Sequence, residues 1–529
     1  MPKFPFLNRN DQPQPPANNK TGNDEHQEPF EDVDRPLEER LAWIRMQLTD
    51  NSDVAYHTFV AGPMIPCAIV YLRGMVDLKV LQEDVLKVLF RMDAADADEF
   101  RMQLFDRKQL SISDFRWLST LSDGIASVLD SKVILLVDGE HTIIEFPLAK
   151  HEKRAIDEPP NEPGIRGPRE AFIEDLSTNL TLIRRRLKTS KFKTENMRVG
   201  ALSKTRVVIA YIDGLCKPEL LEEVKYRLSK IEIDGVLGSS VVEEYLDDTP
   251  FSPFPQLQYT ERPDIMAAAL LEGRVAIIVD GSPIALIAPV TLMMLLQSSE
   301  DYYQRFVAST WIRWIRYVFL FVSLLLPSTY VAITTFHPEI IPSKLLLTVM
   351  SSREIVPFPA LIEAFIMEIS FEALREAAIR IPKSIGQAVS IIGALIIGTA
   401  AVEAGIVSAA MVIIVSLTGI ASFISPHYDL GLSFRLLRFP IMILAGLFGL
   451  FGIACSLLFL YIHLINLRSF GVAYLSPITP FVPSDLKDTL VRAPWWLMNK
   501  RPKPSSTKNE MRQRKTGRKW SYSEEESED

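Results

Sequence analysis

The amino-acid sequence predicts an α/β soluble region of two similar subdomains followed by an all-α membrane domain of four to five transmembrane helices. Three observations support this fold class. A pattern of strands and helices occurs twice before residue 310, charged residues are frequent over the same stretch, and residues 311–467 are mostly apolar. Because about twenty apolar residues cross the hydrocarbon core of a bilayer, the apolar region is long enough for several helical spans.

The chain has 529 residues and starts with a segment rich in Pro, Asn, Asp, Glu and Gln, so we predict a disordered extension over residues 1–36. This extension lacks the apolar stretch of a cleavable signal peptide, and membrane insertion is expected to depend on internal segments. The folded part is predicted to begin at Leu37, because Leu41, Ile44 and Leu48 have the spacing of one helix face.

The soluble region contains an internal duplication. Residues 67–89 and 206–228 each combine an apolar run, a turn with glycine and an acidic amphipathic helix. Residues 126–150 and 267–291 each combine a helix end, a buried strand, an Asp-Gly turn and a second strand. Such repetition predicts two α/β subdomains of similar fold. The dipeptides that suit tight hairpin turns are Asp138-Gly139 and Asp280-Gly281.

The Pro- and Glu-rich segment near residues 157–168 is typical of a linker between the two copies. The predicted domains are therefore a first α/β subdomain at 37–156, a linker and helical connection at 157–200, a second α/β subdomain at 201–310, the membrane domain at 311–467, and a basic and then acidic tail at 468–529.

Four complete spans are predicted. Residues 317–336 form the first, which Pro327 is expected to kink. Residues 388–424 would make a helix of about 55 Å, which is too long for one span, so residues 403–405 are predicted to divide them into two. Residues 440–464 form the last span, which is long enough to tilt.

A fifth segment, 356–371, is apolar but shorter and contains Glu363 and Glu368. It is interpreted either as a polar-lined span or as a re-entrant or interfacial helix. Basic residues precede the first span and follow the last, which predicts that both ends of the chain face the cytoplasm. That orientation favours four spans, and five spans is the alternative, supported by the basic residues Arg353, Arg375, Arg380 and Lys383 around this segment.

Trp495 and Trp496 directly precede the basic run of the tail. Aromatic residues at an interface and basic residues on anionic headgroups favour membrane lipid as the partner of this segment, and nucleic acid is not predicted. Common catalytic motifs do not occur in the sequence, the three cysteines are widely spaced, and the seven histidines are scattered. We therefore predict that the chain is not an enzyme and holds no metal or other cofactor.

Glu368, Glu372 and Glu376 recur every four residues and are expected to form one acidic stripe on a helix. Arg375 and Arg380 are placed to pair with the second and third of them. One interpretation is a solvated helix face, and the other is a set of carboxylate rings that attract cations to the mouth of a symmetric pore. The acidic candidates for such a mouth are Glu363, Glu368, Glu372, Glu376 and Glu403.

Four long stretches of the sequence resemble the A subunit of the GerA-type germinant receptors of endospore-forming bacteria. The resemblance covers about residues 40–500 and excludes both the extension 1–36 and the distal tail. A SpoVAF-type spore membrane protein, a paralogue of the same fold, is the alternative. The stretches that carry the resemblance are GIRGPREAFIEDLSTNLTLIRRRLKT (164–189), PFPALIEAFIMEISFEALREAAIRIP (357–382), IGALIIGTAAVEAGIVSAAMVIIVSLTGIASF (392–423) and APWWLMNKRP (493–502).

The resemblance implies a multi-pass protein of the spore inner membrane, with the N-terminal domain and the C-terminal tail on the side of the spore core. It implies two partners, a transporter-like B subunit that binds the nutrient and a C subunit that is a lipoprotein. It further implies a homo-oligomer that conducts ions when nutrient is sensed and so starts germination. A nutrient permease and a membrane-anchored scaffold are the alternatives from other functional classes.

Under that reading, residues 404–424 are predicted to form the helix nearest the pore axis. The spacing of Ala401, Gly405 and Ala409 would let helices approach closely, either between subunits or within one chain. The serines are expected to solvate a passing ion unless they only bond back to helix carbonyls. The pore and gate candidates are Ala404, Ser408, Ala409, Val412, Ile413, Ser416 and Thr418.

Overall fold

The computed structural model describes residues 33–503 and 509–513, apart from short stretches within the first range. Those stretches are residues 63, 93, 95, 107–111, 113, 151–158, 160, 163, 381–392 and 394–395. Several predictions fall outside the described residues. These are residues 1–32 of the extension, residues 157, 158, 160 and 163 of the linker, the first part of the apolar segment 388–424, and the acidic end of the tail.

A five-stranded sheet forms the centre of the first subdomain. Its strands are β1 (Val54–Ala61), β2 (Ile65–Leu72), β3 (Arg116–Leu118), β4 (Val133–Val137) and β5 (Ile143–Phe146). They are antiparallel, in the spatial order β1-β2-β4-β5-β3. Because β4 is buried along its whole length, apolar side chains pack on both faces of the sheet. The helical segments are Leu37–Gln47, Leu78–Val80, Lys87–Arg91, Ala97–Arg101 and Leu121–Leu129, with π-helical turns at Leu81–Leu86 and Met102–Asp106.

A second five-stranded antiparallel sheet follows. Its strands are β6 (Phe192–Val199), β7 (Thr205–Ile212), β8 (Gln258–Thr260), β9 (Val275–Val279) and β10 (Ala285–Ala288). Their spatial order is β6-β7-β9-β10-β8. The helices of this subdomain are Leu176–Arg184, Pro218–Ser229, Ser239–Leu246 and Pro263–Leu271.

The two sheets have the same strand order, which confirms the predicted duplication. The two Asp-Gly dipeptides connect β4 to β5 and β9 to β10, and both glycines have positive φ, 75° at Gly139 and 82° at Gly281. The second copy starts earlier than the sequence indicated. β6 begins at Phe192, within the stretch 157–200 that was predicted to be a connection.

A buried arginine joins the two subdomains. Arg184 belongs to the second subdomain, and its guanidinium binds both carboxylate oxygens of Asp53 in the first at 2.7 and 2.8 Å. It also donates to the Asn51 side chain at 2.6 Å and to the Phe192 carbonyl at 3.0 Å. Thr194 donates to the same carboxylate at 3.0 Å. Fork-shaped pairing of this kind satisfies both buried charges, so the two subdomains are held in one relative position.

The helical region begins after the second sheet. Its helices are Leu292–Leu295, Glu300–Tyr303, Phe306–Phe336, Ser343–Arg353, Ala360–Arg380, Ala401–Glu403, Ala409–Ser422 and Tyr428–Asn466, with a 3-10 turn at Pro338–Ile340 and a π-helical turn at Ile396–Ala400. Among the described residues, Phe306–Phe336 and Tyr428–Asn466 are long and apolar enough to cross a membrane. Residues 360–371 of the apolar segment 356–371 lie in a longer regular helix, Ala360–Arg380, and residues 356–359 precede it.

The helix Tyr428–Asn466 reverses direction near its middle. Gly449 has φ 62° and ψ −143°, a conformation that is not helical and that a residue with a side chain rarely adopts. The rings of Phe434 and His463 both lie against Phe254, at 5.7 and 6.0 Å between centroids. In a straight helix those two residues would be about 40 Å apart. The segment is therefore a helical hairpin with both ends at the second subdomain, and the predicted single span 440–464 is wrong.

The start of the tail folds back onto the second subdomain. β11 (Arg468–Ser469) pairs with β12 (Val472–Ala473), and Ser469 accepts from the amide of Val290 at 3.0 Å. The amide of Leu292 donates to the Tyr474 carbonyl at 2.8 Å. Two 3-10 turns follow, Leu486–Asp488 and Trp495–Leu497. Residues 468–503 are thus a packed part of the fold that ties the end of the hairpin to the sheet.

Candidate functional site

The short apolar helix Ala409–Ser422 is the centre of the predicted pore region. The break at residues 403–405 is present, because the preceding helix ends at Glu403 and Gly405 has φ 67°. The prediction of one helix over 404–424 is wrong, since the helix begins only at Ala409. Ser408 has extended backbone and caps the helix by accepting from the amide of Met411 at 3.3 Å.

Ser408 is buried and bound to a carboxylate of another helix. Its amide donates to Glu363 Oε1 at 2.6 Å, and its hydroxyl donates to the same oxygen. Glu363 is fully buried, and its second oxygen lies 3.7 Å from the guanidinium of Arg353. A charged acceptor at a helix start is favourable because the first amides of a helix lack partners within it. Ser408 therefore anchors the helix and does not face a passage in the single chain.

The remaining gate candidates lie on different sides of the short apolar helix. Met411, Val415 and Thr418 are buried, and the Thr418 hydroxyl donates to the Ile414 carbonyl at 2.7 Å. The opposite face, described from the single chain, is exposed. Its exposed candidates are Ala409, Ile413 and Ser416, while Val412 is partly exposed.

The two serines expected to solvate an ion, Ser408 and Ser416, do not share a helix face, because the first lies before the helix and is buried whereas the second is exposed. The predicted small-residue ladder of Ala401, Gly405 and Ala409 is also interrupted, since the three residues belong to a helix end, a turn and a second helix. Ala404 and Glu403 lie exposed at that turn. The sequence repeats this spacing at Ala394 and Gly398, of which Ala394 lies outside the described residues.

The acidic residues of the helix Ala360–Arg380 do not form one solvated stripe. Glu368 is fully buried and forms an ion pair with Arg438 of the helical hairpin. Arg438 is itself buried and donates to the Ser323 carbonyl at 2.8 Å. The prediction of a mouth-facing Glu368 is wrong for the single chain, because a buried carboxylate is stable only when a counter-charge satisfies it.

The other two members of the series behave as the spacing indicated. Glu372 lies 3.1 Å from Arg375, as predicted, and 3.3 Å from Arg435 of the hairpin. Glu376 forms the predicted pair with Arg380 at 2.6 Å, and both side chains are exposed. The acidic helix is thus neutralised along its length by arginines from its own chain.

Sequence reasoning missed the arginines of the hairpin. Arg435 and Arg438 are three residues apart, one helical turn, immediately before the apolar run that begins at Pro440. Glu368 and Glu372 are four residues apart, so each pair spans about one helical turn, a signal that could have paired the two helices. Only the fold brings them together, since Glu368 and Arg438 are 70 positions apart in the chain and Glu372 and Arg435 are 63 apart.

A second buried charge cluster lies at the start of the first long helix. Arg313 and Arg316 are among the basic residues before the first span, which entered the sequence analysis only as a sign of orientation. Both bind the buried Asp301, at 3.1 and 3.0 Å. Arg313 also reaches Asp488 of the tail at 3.3 Å. Burial raises the pKa of Asp488 to about 6, and the neighbouring guanidinium opposes that shift. These contacts join the helical region, the tail and the connecting segment at one point.

The described residues contain no group of three or more His, Cys, Asp or Glu placed to hold a metal ion. What the site offers is therefore a set of buried carboxylate and guanidinium pairs behind an apolar helix. Paired charges of this kind hold helices in position, and they do not by themselves indicate a catalytic reaction.

Residues 42–504 match the family described as Bacillus/Clostridium GerA spore germination protein. The uncharacterized membrane protein YfkQ of Bacillus subtilis (strain 168) is 49% identical, over 89% of this chain and 92% of its own. Spore germination protein KA of the same organism is 41% identical, over 91% and 89%. Spore germination protein GerLA of Bacillus cereus is 38% identical, over 89% and 96%.

Among solved structures, this chain is similar to the N-terminal domain of the A subunit of the Bacillus megaterium spore germinant receptor GerK3. The identity is 28%, the match covers 50% of this chain and 98% of that one, and the TM-score is 0.38.

Proposed function

This chain belongs to the GerA family of spore germination proteins, and on that premise we propose that it is the A subunit of a germinant receptor. The family is not a known enzyme family. The proposed subunit lies in the spore inner membrane and acts with a transporter-like B subunit and a lipoprotein C subunit. It forms a homo-oligomer that conducts ions when a nutrient is sensed, and the ion flow starts germination.

The helical region supports a membrane location. Its two longest helices have mean hydropathies of 1.8 and 2.5 over their most apolar windows. The reversal at Gly449 divides the second into arms of about 30 Å and about 25 Å, each close to the thickness of a hydrocarbon core. Both arms end at the second subdomain, so we place the soluble region and the packed tail on the same side of the membrane.

The observation that carries the proposed conduction is the two-sided character of the short apolar helix. One side packs against the protein through Met411 and Val415, and the other side is exposed in the single chain. In a ring of identical subunits, the exposed side would face the axis. Ile413 would then form an apolar constriction that closes by losing water, and Ser416 would offer a hydroxyl to a passing ion.

Glu363 gives this helix a defined resting position. Its carboxylate accepts from the Ser408 amide at the helix start, and both residues are buried. A buried ionisable group within membrane helices is costly and therefore marks a functional position. We assign to Glu363 the role of holding the closed helix, and to the exposed Glu403 the role of attracting cations to one mouth.

Planar-bilayer recording from the purified oligomer tests this function. Ala409→Leu adds bulk to the exposed face and Val412→Ala widens its flank, so both should change single-channel conductance or gating in protein that accumulates normally. Glu363→Gln keeps the shape of the side chain but weakens its acceptor, and it should raise the basal current by about tenfold or more. The matched control is Glu354→Gln, the same substitution at an exposed position outside the helix.

Unchanged currents in all three variants would exclude this helix as the gate. Absence of any current from the intact receptor, together with nutrient uptake into liposomes, would instead establish a permease. A scaffold would show neither property.

A further inference from the structure

A cavity of about 730 Å³ lies where the second subdomain meets the helical region. We call it the junction cavity. Its walls come from the sheet around Gln258 and Arg274, the start of the first long helix at Arg316, the loop 423–427 and the tail at Trp495. Its volume is within the range of ordinary small-molecule sites, roughly 300–1,000 Å³. None of the residues proposed for conduction lines it.

The charges around the junction cavity are arranged by depth. The charged and ionisable side chains that line it and are buried are all basic: Arg274, Arg316 and His427. The acidic side chains that line it are partly exposed: Glu162, Asp264, Glu272 and Glu300. Burial, with Arg274 and Arg316 nearby, lowers the pKa of His427 to about 4, so its ring is neutral at pH 7.

The deep wall contains a hydrogen-bond donor without an acceptor. Arg274 donates to Gln258 Oε1 at 2.9 Å and lies 3.6 Å from Glu272, but its buried Nε has no partner among the described residues. The amide nitrogen of Gln258 is 3.5 Å from the ring of His427, a long contact. A buried donor left unpaired is unfavourable, so this wall is suited to receive an acceptor from outside.

We propose that the junction cavity binds a small organic carboxylate. Its carboxylate lies against Arg274, where Nε supplies a charge-assisted hydrogen bond, and its organic part contacts the rings of Tyr302 and Trp495, which also line the cavity. A neutral solute of the same shape lacks the charge that the buried guanidinium recognises. A cation is repelled by the Arg274 guanidinium, whose Nε has no acceptor among the described residues.

A ligand bound in this cavity would affect the position of the proposed gate. The loop 423–427 that lines it connects the end of the short apolar helix to the start of the helical hairpin. A ligand that fixes this loop therefore favours one position of both helices. This consequence rests on the proposed function, whereas the binding itself does not.

Ligand-observed saturation-transfer NMR on the full chain in detergent micelles tests the proposal, with empty micelles as the blank. Benzoate and benzamide are the probes, because they share a shape and differ in charge. Benzoate should bind saturably and benzamide at least about tenfold more weakly. Arg274→Gln should weaken benzoate by about tenfold or more and leave benzamide unchanged.

Two further variants keep the result interpretable. Ala268 lines the cavity and is exposed, so Ala268→Trp should obstruct the cavity and abolish benzoate binding without removing a polar contact. Arg206→Gln, at an exposed position of β7 outside the cavity, should bind benzoate as the parent chain does. Equal binding of the two probes, or benzoate binding that survives Ala268→Trp, would overturn the proposal. The readout is binding alone, so its failure leaves the proposed conduction to be judged by the bilayer currents.

Discussion

The two soluble subdomains have the same strand order but different neighbours. The first is joined to the second through Asn51 and Asp53, which bind Arg184. The second also carries the helical region: Ser252 lies 2.9 Å from the His463 ring, and Ser433 donates to the Pro253 carbonyl. One copy of a duplicated fold therefore carries the long apolar helices, and the other is attached to that copy.

The difference arises at the edges of the sheets and not in their cores. The central strands β4 and β9 are entirely buried in both copies. In the second copy, the loop that precedes β8 carries Phe254, whose ring packs between the two ends of the hairpin. The two copies thus share their core packing, while the contacts of the second copy to the helical region come from loops, where changes leave the core packing intact.

The largest effect is expected from separating the two subdomains. Arg184→Ala leaves the carboxylate of Asp53 buried without its partner, so we expect a loss of about 3–5 kcal/mol in the contact between them. Limited proteolysis of the full chain should then cleave between the copies. Arg185→Ala is the matched control, because that side chain is 45% exposed and lies 3.6 Å from its acidic partner. Equal resistance of both variants to proteolysis would show that the interface between the subdomains does not depend on the buried arginine.

A smaller effect on stability is expected from a change of pH, which acts through His427 where the second subdomain meets the helical region. His427 has a folded pKa of about 4 and an ordinary value of 6.5, so the unfolded state binds the proton more readily. Its contribution to stability is complete above pH 6.5 and is lost as pH falls towards 4. Between pH 7 and pH 5 the free energy of unfolding of the parent chain should fall by about 2 kcal/mol more than that of the His427→Gln variant.

Thermal unfolding at the two pH values measures this difference. Because other groups titrate in both proteins, only the change specific to the parent chain is informative. The same pH response in parent and variant would contradict the assignment to His427.

The smallest effect compares the equivalent hairpin turns. Both glycines have positive φ, so alanine should cost about 1 kcal/mol at either position. At Gly139 a β-carbon would lie 2.0 Å from the end of the Arg101 side chain, whereas at Gly281 it would meet nothing within 4 Å. Arg101 would lose its bond to the Asp138 carbonyl, at 3.1 Å, which adds about 0.5–1 kcal/mol. Chemical denaturation should give a lower free energy of unfolding for Gly139→Ala than for Gly281→Ala, and the reverse order would refute the comparison.

Local patterns determined much of this protein in advance. Alternating and continuous apolar runs with Asp-Gly turns predicted both sheets, because strand burial and turn geometry depend on neighbouring residues. The break between Glu403 and Gly405 and the pairs of Glu372 and Glu376 with their arginines were predicted for the same reason. Spacing within one helix is a local property, and the sequence displays it directly.

The tertiary structure alone decided the positions of the buried charges and the path of the hairpin. Glu368 looked like a member of a solvated stripe because its partner, Arg438, lies on a distant helix. Ser408 looked like a pore residue because its acceptor, Glu363, comes from another helix. The reversal at Gly449 interrupts a run of apolar residues that is long enough for one span. In each case the deciding contact joins segments far apart in the chain, and periodicity within a segment carries no information about such contacts.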